Sequence, residues 1–501
     1  MILEEVVRRL CVASSVALAR MKSAIFPPPV LPDKFRQLGH SLIDWIADYR
    51  ERCATLPVRA SVAPGEFRDR LPTAPPDAPE PLEAVLLDDL ERLLVPALTH
   101  WQHPGFFGYF PGNASLASVL AEMLSAGLGQ NGINWQASPA LSELEEVTCD
   151  WMRQLLGLSK TWSGVIHDSA SSATLVALLC ARERLTGHGQ TRGGLQAEPS
   201  PLVVYTTSQA HSSVEKAALL AGFGRANLRL VPVDETLAMR PDALASMLDA
   251  DRRAGLRPCA IVATSGTTAT TAFDPLAAIV RVAQDYGVWV HVDAAMAGAA
   301  MMLPECRSLW EGVEGADSLV FNPHKWLGVT FDCSLYYVRD VQHLVRVMST
   351  NPSYLQTTAD GSVNNYRDWG LPLGRRFRAL KLWMHLRAYG ADALRARLRR
   401  DIAHARWFAA QVDATEHWRR VAPVPLQTVC VRHEPPGLSA GATDAHNLAW
   451  VEAINRGGEA LLTPAKVHDA WLVRVSIGAE ATEFHHVEAL WRSMRAAAAS
   501  T

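Results

Sequence analysis

The sequence predicts an α/β protein: a mainly parallel central sheet flanked by helices, with a helical N-terminal segment and a small C-terminal α/β domain. Three observations point there. Between residues 160 and 340, short apolar runs alternate with stretches of helical period, which is the grammar of βαβ units. Several of those runs are apolar at every position, as strands covered on both faces must be. Polar residues of complementary chemistry stand just past the ends of the runs, where open α/β sheets bind ligands.

Taken in order, residues 1–29 read as an extension. Leu10–Ala19 is apolar and flanked by Arg8, Arg9 and Arg20, but Glu4 and Glu5 sit where a secretory signal carries only positive charge. Phe35–Tyr49 reads as an amphipathic helix, with Leu38, Leu42, Ile43, Ile46 and Ala47 at helical spacing. Residues 56–81 are Pro-rich and read as a linker or wrapping arm, and Leu82–Leu98 is helical again. This gives a helical segment over 30–115, a large domain over 116–382 and a small C-terminal domain over 383–501. The large domain carries expected strands at Leu202–Tyr205, Leu228–Val233, Ala260–Thr264, Val288–Val292, Ser318–Phe321 and Ser334–Val338. Helices are expected at Leu116–Ala126, Thr174–Arg184, Ser213–Ala221, Asp274–Tyr286 and Ala391–Val412.

Composition narrows the function. Lys+Arg is 48 and Asp+Glu 51, a net charge of −3, so there is no basic surplus for nucleic acid. At 49% hydrophobic and 20% charged, the 501-residue chain is globular rather than disordered. Eight cysteines without a CxxC argue against a disulfide framework or a zinc centre, and suit a reducing cytoplasmic setting. No metal site is expected. No apolar run reaches the ~18 residues of a spanning helix, so no membrane partner is expected either.

Three motif matches mislead. Gly127-Leu-Gly129-Gln-Asn-Gly132 fits a dinucleotide fingerprint, but a helix rather than a strand precedes it. Gly437-Leu-Ser439-Ala-Gly441 fits a serine-hydrolase elbow, with Asp444, His446, His468 and His485 downstream. Pro435-Pro436 and the loop-like composition around it favour a surface loop. Asn113-Ala-Ser115 fits a glycosylation triplet that needs a secretory context.

The informative residues follow the strands: Gln209-Ala-His211-Ser-Ser213, Thr264-Ser-Gly-Thr-Thr268, Asp293-Ala-Ala295 and Asn322-Pro-His-Lys325-Trp326. They bring imidazole, hydroxyl, carboxylate and amine to one edge. A lysine after a buried strand is desolvated, which favours the neutral amine that can attack an aldehyde. Asp293, ending an apolar strand, needs a cationic partner such as a pyridinium nitrogen. The alternative, a cap for Ala294–Ala300, is the weaker reading. His211 has a ring of the size to stack on a pyridine. Ser169-Ala170-Ser171 opens a helix, and the free N–H groups there suit a phosphate. Asn322 and His324 can close on it, and the Asp168 carboxylate is expected to point away.

These runs resemble the group II pyridoxal-phosphate decarboxylases, specifically the aromatic-L-amino-acid decarboxylases. The likeness extends from about residue 30 onward. It also rests on His100-Trp-Gln-His-Pro104, Gly108-Tyr-Phe-Pro111, Trp135-Gln-Ala-Ser-Pro-Ala-Leu-Ser-Glu-Leu-Glu145, Gly164-Val-Ile166, His291-Val-Asp-Ala-Ala295 and Leu373-Gly-Arg-Arg-Phe-Arg378. It implies fold type I of the pyridoxal-phosphate enzymes, pyridoxal 5'-phosphate as cofactor, and a homodimer with a shared active site. Lys325 would carry the cofactor, His211 would stack on it and Asp293 would pair with its ring nitrogen. Ala170, Ser171, Asn322 and His324 would hold phosphate, with Ala295 and Thr268 also against the cofactor. Thr268 would also lie near the substrate carboxylate. Tyr354 matches the tyrosine of a mobile lid, over Thr350–Asn365, that returns a proton to the substrate carbon.

The same resemblance places Trp101, Tyr109, Phe110, Ile133 and Gly374 around an aromatic side chain. Gly374 leaves room for an indole or catechol. Ile133 stands where animal relatives carry Phe, so tryptophan, dopa, tyrosine and phenylalanine all stay open. Arg474 matches a family arginine, although Ser476-Ile-Gly-Ala479 after it departs from the pattern. The expected reaction is decarboxylation to the arylalkylamine. The alternatives are a related aldehyde synthase, which couples decarboxylation to oxidative deamination, a serine hydrolase using Ser439, and a non-catalytic protein that keeps the fold.

Overall fold

The computed structural model describes residues 30–501; the Leu10–Ala19 reading lies outside the described residues. The chain divides into two units, one ending at His100 and the other Trp101–Thr501. In the first, α1 (Pro32–Arg52) starts with a proline at its first position, which suits a helix N-terminus. Arg52 grips Glu91 through two nitrogens, and Glu91 also accepts from the indole of Trp45 at 3.0 Å. The stretch expected as one helix over Leu82–Leu98 is a succession of wide turns, Ala84–Asp88 and Leu90–Leu94, ending in the tight turn Val95–Ala97 that holds Pro96.

The second unit holds a seven-stranded sheet of β1 (Ser163–His167), β2 (Leu202–Thr207), β3 (Leu228–Val231), β4 (Arg257–Thr264), β5 (Trp289–Asp293), β6 (Ser318–Phe321) and β7 (Ser334–Val338), in the order β1-β7-β6-β5-β4-β2-β3. Pairs among β2 to β6 are parallel, while β7 runs antiparallel to both β6 and β1. All six expected strands are present within a few residues. β1 was not expected: Ser163-Gly-Val-Ile-His is short, and its glycine lowers strand propensity. That glycine has a packing reason. A Cβ on Gly164 would meet the Tyr337 ring at 2.7 Å.

Along the second unit run α2 (Leu116–Leu128), α3 (Pro139–Leu156), α4 (Ala170–Leu185), α5 (Ser213–Leu220), α6 (Pro241–Arg253), α7 (Leu276–Tyr286), α8 (Val341–Met348) and α9 (Arg378–Asp413). The last is longer than expected, because two helical stretches join across Gly390, whose φ of 71° breaks the helix without ending it. Buried aliphatic and aromatic side chains fill both faces of the sheet. A second sheet, antiparallel in the order β10-β11-β9-β8, is built from β8 (Trp418–Arg420), β9 (Thr428–His433), β10 (Thr463–Val467) and β11 (Ala470–Ser476). It packs with α10 (Ala440–Gly457) and α11 (Phe484–Ser500) around Trp418, Trp450 and Trp491. The chain thus has the architecture of fold type I. Among the described residues, no helix is long and apolar enough to cross a membrane.

The misleading motifs resolve locally. Gly129 is the left-handed residue that ends α2, so no strand feeds the glycine run. The Ser439 hydroxyl accepts from the Ala442 N–H and caps α10, a structural use of that serine. Asn113 is buried and donates to the Gly478 carbonyl, which leaves it no room for a glycan.

Candidate active site

β1, β2, β4, β5 and β6 end at the same sheet edge. Their following residues enclose a cavity of about 250 Å³. It is lined by Phe110, Ser169, Ala170, Ser171, His211, Ser213, Thr264, Gly266, Thr268, Asp293, Ala295, Met296, Asn322 and Lys325. The sequence had put most of these together. It had not singled out Gly266 and Met296. Gly266 carries a readable signal: it follows β4 with φ of +90°, and a Cβ there would meet the Ala297 Cβ at 2.4 Å. Met296 has no comparable signal.

Lys325 sits in the turn Pro323–Leu327 with ψ of −114°, away from helical geometry. Burial lowers the pKa of its amine; Asp293 opposes the shift and Arg474 reinforces it. Asp293 closes β5, is 4% exposed and accepts the Ala295 N–H at 3.0 Å. No cation stands within ion-pair distance of it among the described residues, which leaves a buried carboxylate facing the cavity. His211 lies on the wall between this cavity and a neighbouring groove of about 440 Å³. Burial and then the nearby Lys325 push its pKa down, against Asp293.

At the other end, Ser169 caps α4 through the Ser172 N–H, so Ala170 and Ser171 supply the first free N–H groups of the helix to the cavity. Asp168 turns to the hydroxyls of Ser169 and Ser172, at 3.1 and 3.0 Å, rather than into this cradle. The Asn322 Oδ1 accepts from Ser334 at 2.6 Å, which orients the amide nitrogen the other way. The His324 Nδ1 accepts the Cys333 N–H at 2.9 Å, and burial lowers its pKa to about 4, so it is a neutral ring with its proton on Nε2. His324 is buried beside the cavity rather than in its lining.

Phe110 reaches the cavity from a strap that pairs with the small domain through Phe106 and Leu461. Its ring lies 5.5 Å from the Lys325 amine and 5.0 Å from the Arg474 guanidinium. Arg474 is 5% exposed and holds the carbonyls of Tyr109 and Ala269 and the hydroxyl of Thr463. The other residues expected around the substrate's aromatic ring stand outside this cavity, whereas Thr268 lines it. Trp101 stacks on Tyr109, and both rings are exposed. Ile133 and Gly374 belong to two segments tied by Gly132 N–H to Arg375 O at 2.9 Å and Arg375 N–H to Asn131 Oδ1 at 3.1 Å. Tyr354 is 78% exposed.

The cavity therefore has a helix N-terminus suited to phosphate at one end, a buried carboxylate at the other, and a lysine of lowered basicity between strand ends. Fold and cavity together define a pyridoxal-phosphate enzyme of fold type I. The family model described as "Pyridoxal-dependent decarboxylase conserved domain" matches residues 64–434. Among curated proteins, the chain is 40% identical over 474 residues to phenylacetaldehyde synthase of Arabidopsis thaliana, covering 93% of this chain and 96% of that one. It is 38% identical over 478 residues to tryptophan decarboxylase 2 of Oryza sativa subsp. japonica, covering 93% and 95%. Among solved structures, Oryza sativa TDC with PLP and tryptamine superposes with a TM-score of 0.91 at 35% identity, over 95% of this chain and 99% of that one. The chain belongs to the pyridoxal-phosphate-dependent aromatic amino acid decarboxylase family, whose members include both decarboxylases and aldehyde synthases.

Proposed function

We propose that the protein decarboxylates an aromatic L-amino acid to the corresponding arylalkylamine and CO2. The observation that carries this reading is the single cavity joining Lys325, Asp293, His211 and the N-terminus of α4. When bound, pyridoxal phosphate supplies an electron-withdrawing ring that takes up the electron pair left by the departing carboxylate. Lys325 would attach the cofactor, helped by an amine that burial keeps less basic. Asp293 would hold the proton on the ring nitrogen, and His211 would lie against the ring. Ala170, Ser171, Asn322 and His324 would hold the phosphate, with Ala295 and Thr268 completing the wall and Thr268 near the substrate carboxylate. Trp101, Tyr109, Phe110, Ile133 and Gly374 would bound the substrate's aromatic ring. Tyr354 would give its proton to the substrate carbon once CO2 has left, under a lid that excludes water.

We further propose a homodimer with shared sites. Tyr354 and Tyr109 are exposed, and α2 presents Leu116, Leu120, Met123, Leu124 and Leu128 to solvent at helical spacing. The seven described cysteines are free and buried, which suits the reducing cytoplasm.

A second reading has support in the 40% identity to a phenylacetaldehyde synthase. It consumes O2 and water and gives aldehyde, ammonia and hydrogen peroxide, with CO2, instead of amine. The test is a panel of tryptophan, dopa, tyrosine and phenylalanine, scored for CO2, amine and peroxide. Amine equal to CO2 supports decarboxylation; peroxide equal to CO2 overturns it in favour of the second reading. Borohydride reduction of the holoenzyme should trap the cofactor on Lys325, and label on any other residue would remove that assignment.

A further inference from the structure

His211 is held in a way that the reaction scheme does not call for. Its Nδ1 lies 2.8 Å from the Ser213 hydroxyl and 3.1 Å from the Ser213 backbone nitrogen. A backbone N–H can only donate, so Nδ1 must present a lone pair. The His211 carbonyl accepts the next N–H, that of Val214, at 3.0 Å. Ring and main chain of His211 thus both close onto the first turn of α5. Rotating the imidazole, or protonating Nδ1, would leave the Ser213 N–H without its acceptor.

We propose that Ser213 is the positioning residue for His211, gripping Nδ1 with its N–H and its hydroxyl. The ring then stands in the cavity wall as a neutral imidazole with its single proton on Nε2. The ionisable groups that act on the ring are Lys325 and Asp293 across the cavity. Glu215, paired with Arg225, lines the groove on the other side. Lys325 and the Ser213 N–H both oppose a second proton on the ring, whereas Asp293 favours one. His211 therefore serves as a fixed donor through Nε2, not as an imidazolium. Ser213 acts through His211 and needs no contact with substrate.

The tautomer is independent of which product the enzyme makes; only its effect on turnover rests on the proposed decarboxylation. The test uses holoenzyme labelled with 15N-histidine, with the His211 signals assigned from a His211→Gln sample. The expected spectrum at pH 7 has an unprotonated Nδ1 and a protonated Nε2. A protonated Nδ1, or an imidazolium at pH 7, overturns the proposal whatever the enzyme's activity. Ser213→Ala should lower kcat roughly fivefold to tenfold, the worth of one net hydrogen bond, with KM within about twofold. Ser213→Thr, which keeps the hydroxyl, should restore kcat. Equal kcat in wild type and Ser213→Ala, or failure of threonine to restore it, overturns the role of the hydroxyl. If Ser213→Ala does not fold, the wild-type spectrum decides alone.

Discussion

Arg375→Met should be among the most costly single changes outside the cavity. The guanidinium is 6% exposed and bonds Glu145 through two nitrogens, at 2.6 and 2.9 Å, and Glu145 is fully buried. The same two side chains clasp β1: Glu145 accepts the Ile166 N–H at 2.8 Å, and Arg375 donates to the Ile166 carbonyl at 2.8 Å. Removing the arginine leaves a buried carboxylate with no counter-charge, which costs about 3–5 kcal/mol. It also strips the Ile166 carbonyl of a donor, about 1–3 kcal/mol more if no water replaces it. Adding Glu145→Gln removes the stranded charge while keeping an acceptor for the Ile166 N–H. The double variant should therefore be more stable than Arg375→Met by about 2 kcal/mol or more. Urea unfolding followed by tryptophan fluorescence measures both differences. Because Ile166 lies just ahead of Asp168 and the cap of α4, pyridoxal phosphate should also bind more weakly to the single variant. The reasoning is refuted if Arg375→Met loses less than about 1 kcal/mol, or if the second substitution brings no recovery.

Three further outcomes are expected. Tyr354→Phe should shift product from amine toward aldehyde and peroxide; an unchanged amine yield removes the tyrosine from proton delivery. Mixing unfolded Lys325→Ala and Tyr354→Phe chains and refolding them together should regain amine production if Tyr354, exposed on its own chain, serves the partner's site, whereas no recovery would place it in its own. Acid should destabilise the fold in a defined window. Burial holds His167, His291 and His324 down at about 4, below the ~6.5 of an unfolded histidine. Their contribution is complete above pH 6.5 and is lost as pH falls toward 4, by about 3 kcal/mol for each. A urea midpoint that stays level from pH 6.5 to 4.5 would contradict this.

Much of the fold was legible because parallel strands buried on both faces announce themselves by apolar content alone. Val203, Ile261, Val290 and Leu319 need no partner information to be read. β1 was not legible. Its residues are few, its glycine counts against it, and its place beside β7 depends on Tyr337 and Tyr336 from far along the chain. The cavity was legible for a different reason. Strand ends at one sheet edge must converge, so the polar residues after β2, β4, β5 and β6 had to meet whatever the helices did. Residues on loops had no such constraint. Tyr354, Trp101 and Tyr109 were identified by resemblance alone, and they are the ones found outside the cavity with exposed rings.

That division bears on product choice. Groups at strand ends are rigid, and in the proposed reaction they would perform what decarboxylation and aldehyde formation share: attaching the cofactor, holding its ring proton and gripping its phosphate. The steps part only after CO2 has left, when the substrate carbon takes either a proton or oxygen. In the proposed reaction a proton would have to come from a donor within reach before oxygen enters, so the outcome would depend on how long a lid over 350–365 stays closed and on what acid it carries. Tyr354 lies in the segment Ser353–Leu355, tied to its surroundings by few bonds, whereas the base of the lid is anchored: Asn364 donates to Glu146, and Asn365 accepts the Trp135 N–H. With the base held and the tip free of the cavity, changes at the tip would alter the proposed lid without disturbing the cavity. Substitutions at 350–360 should accordingly alter the ratio of amine to aldehyde while leaving cofactor affinity within about twofold, whereas substitutions at Asp293 or Asn322 should change affinity and leave the ratio alone.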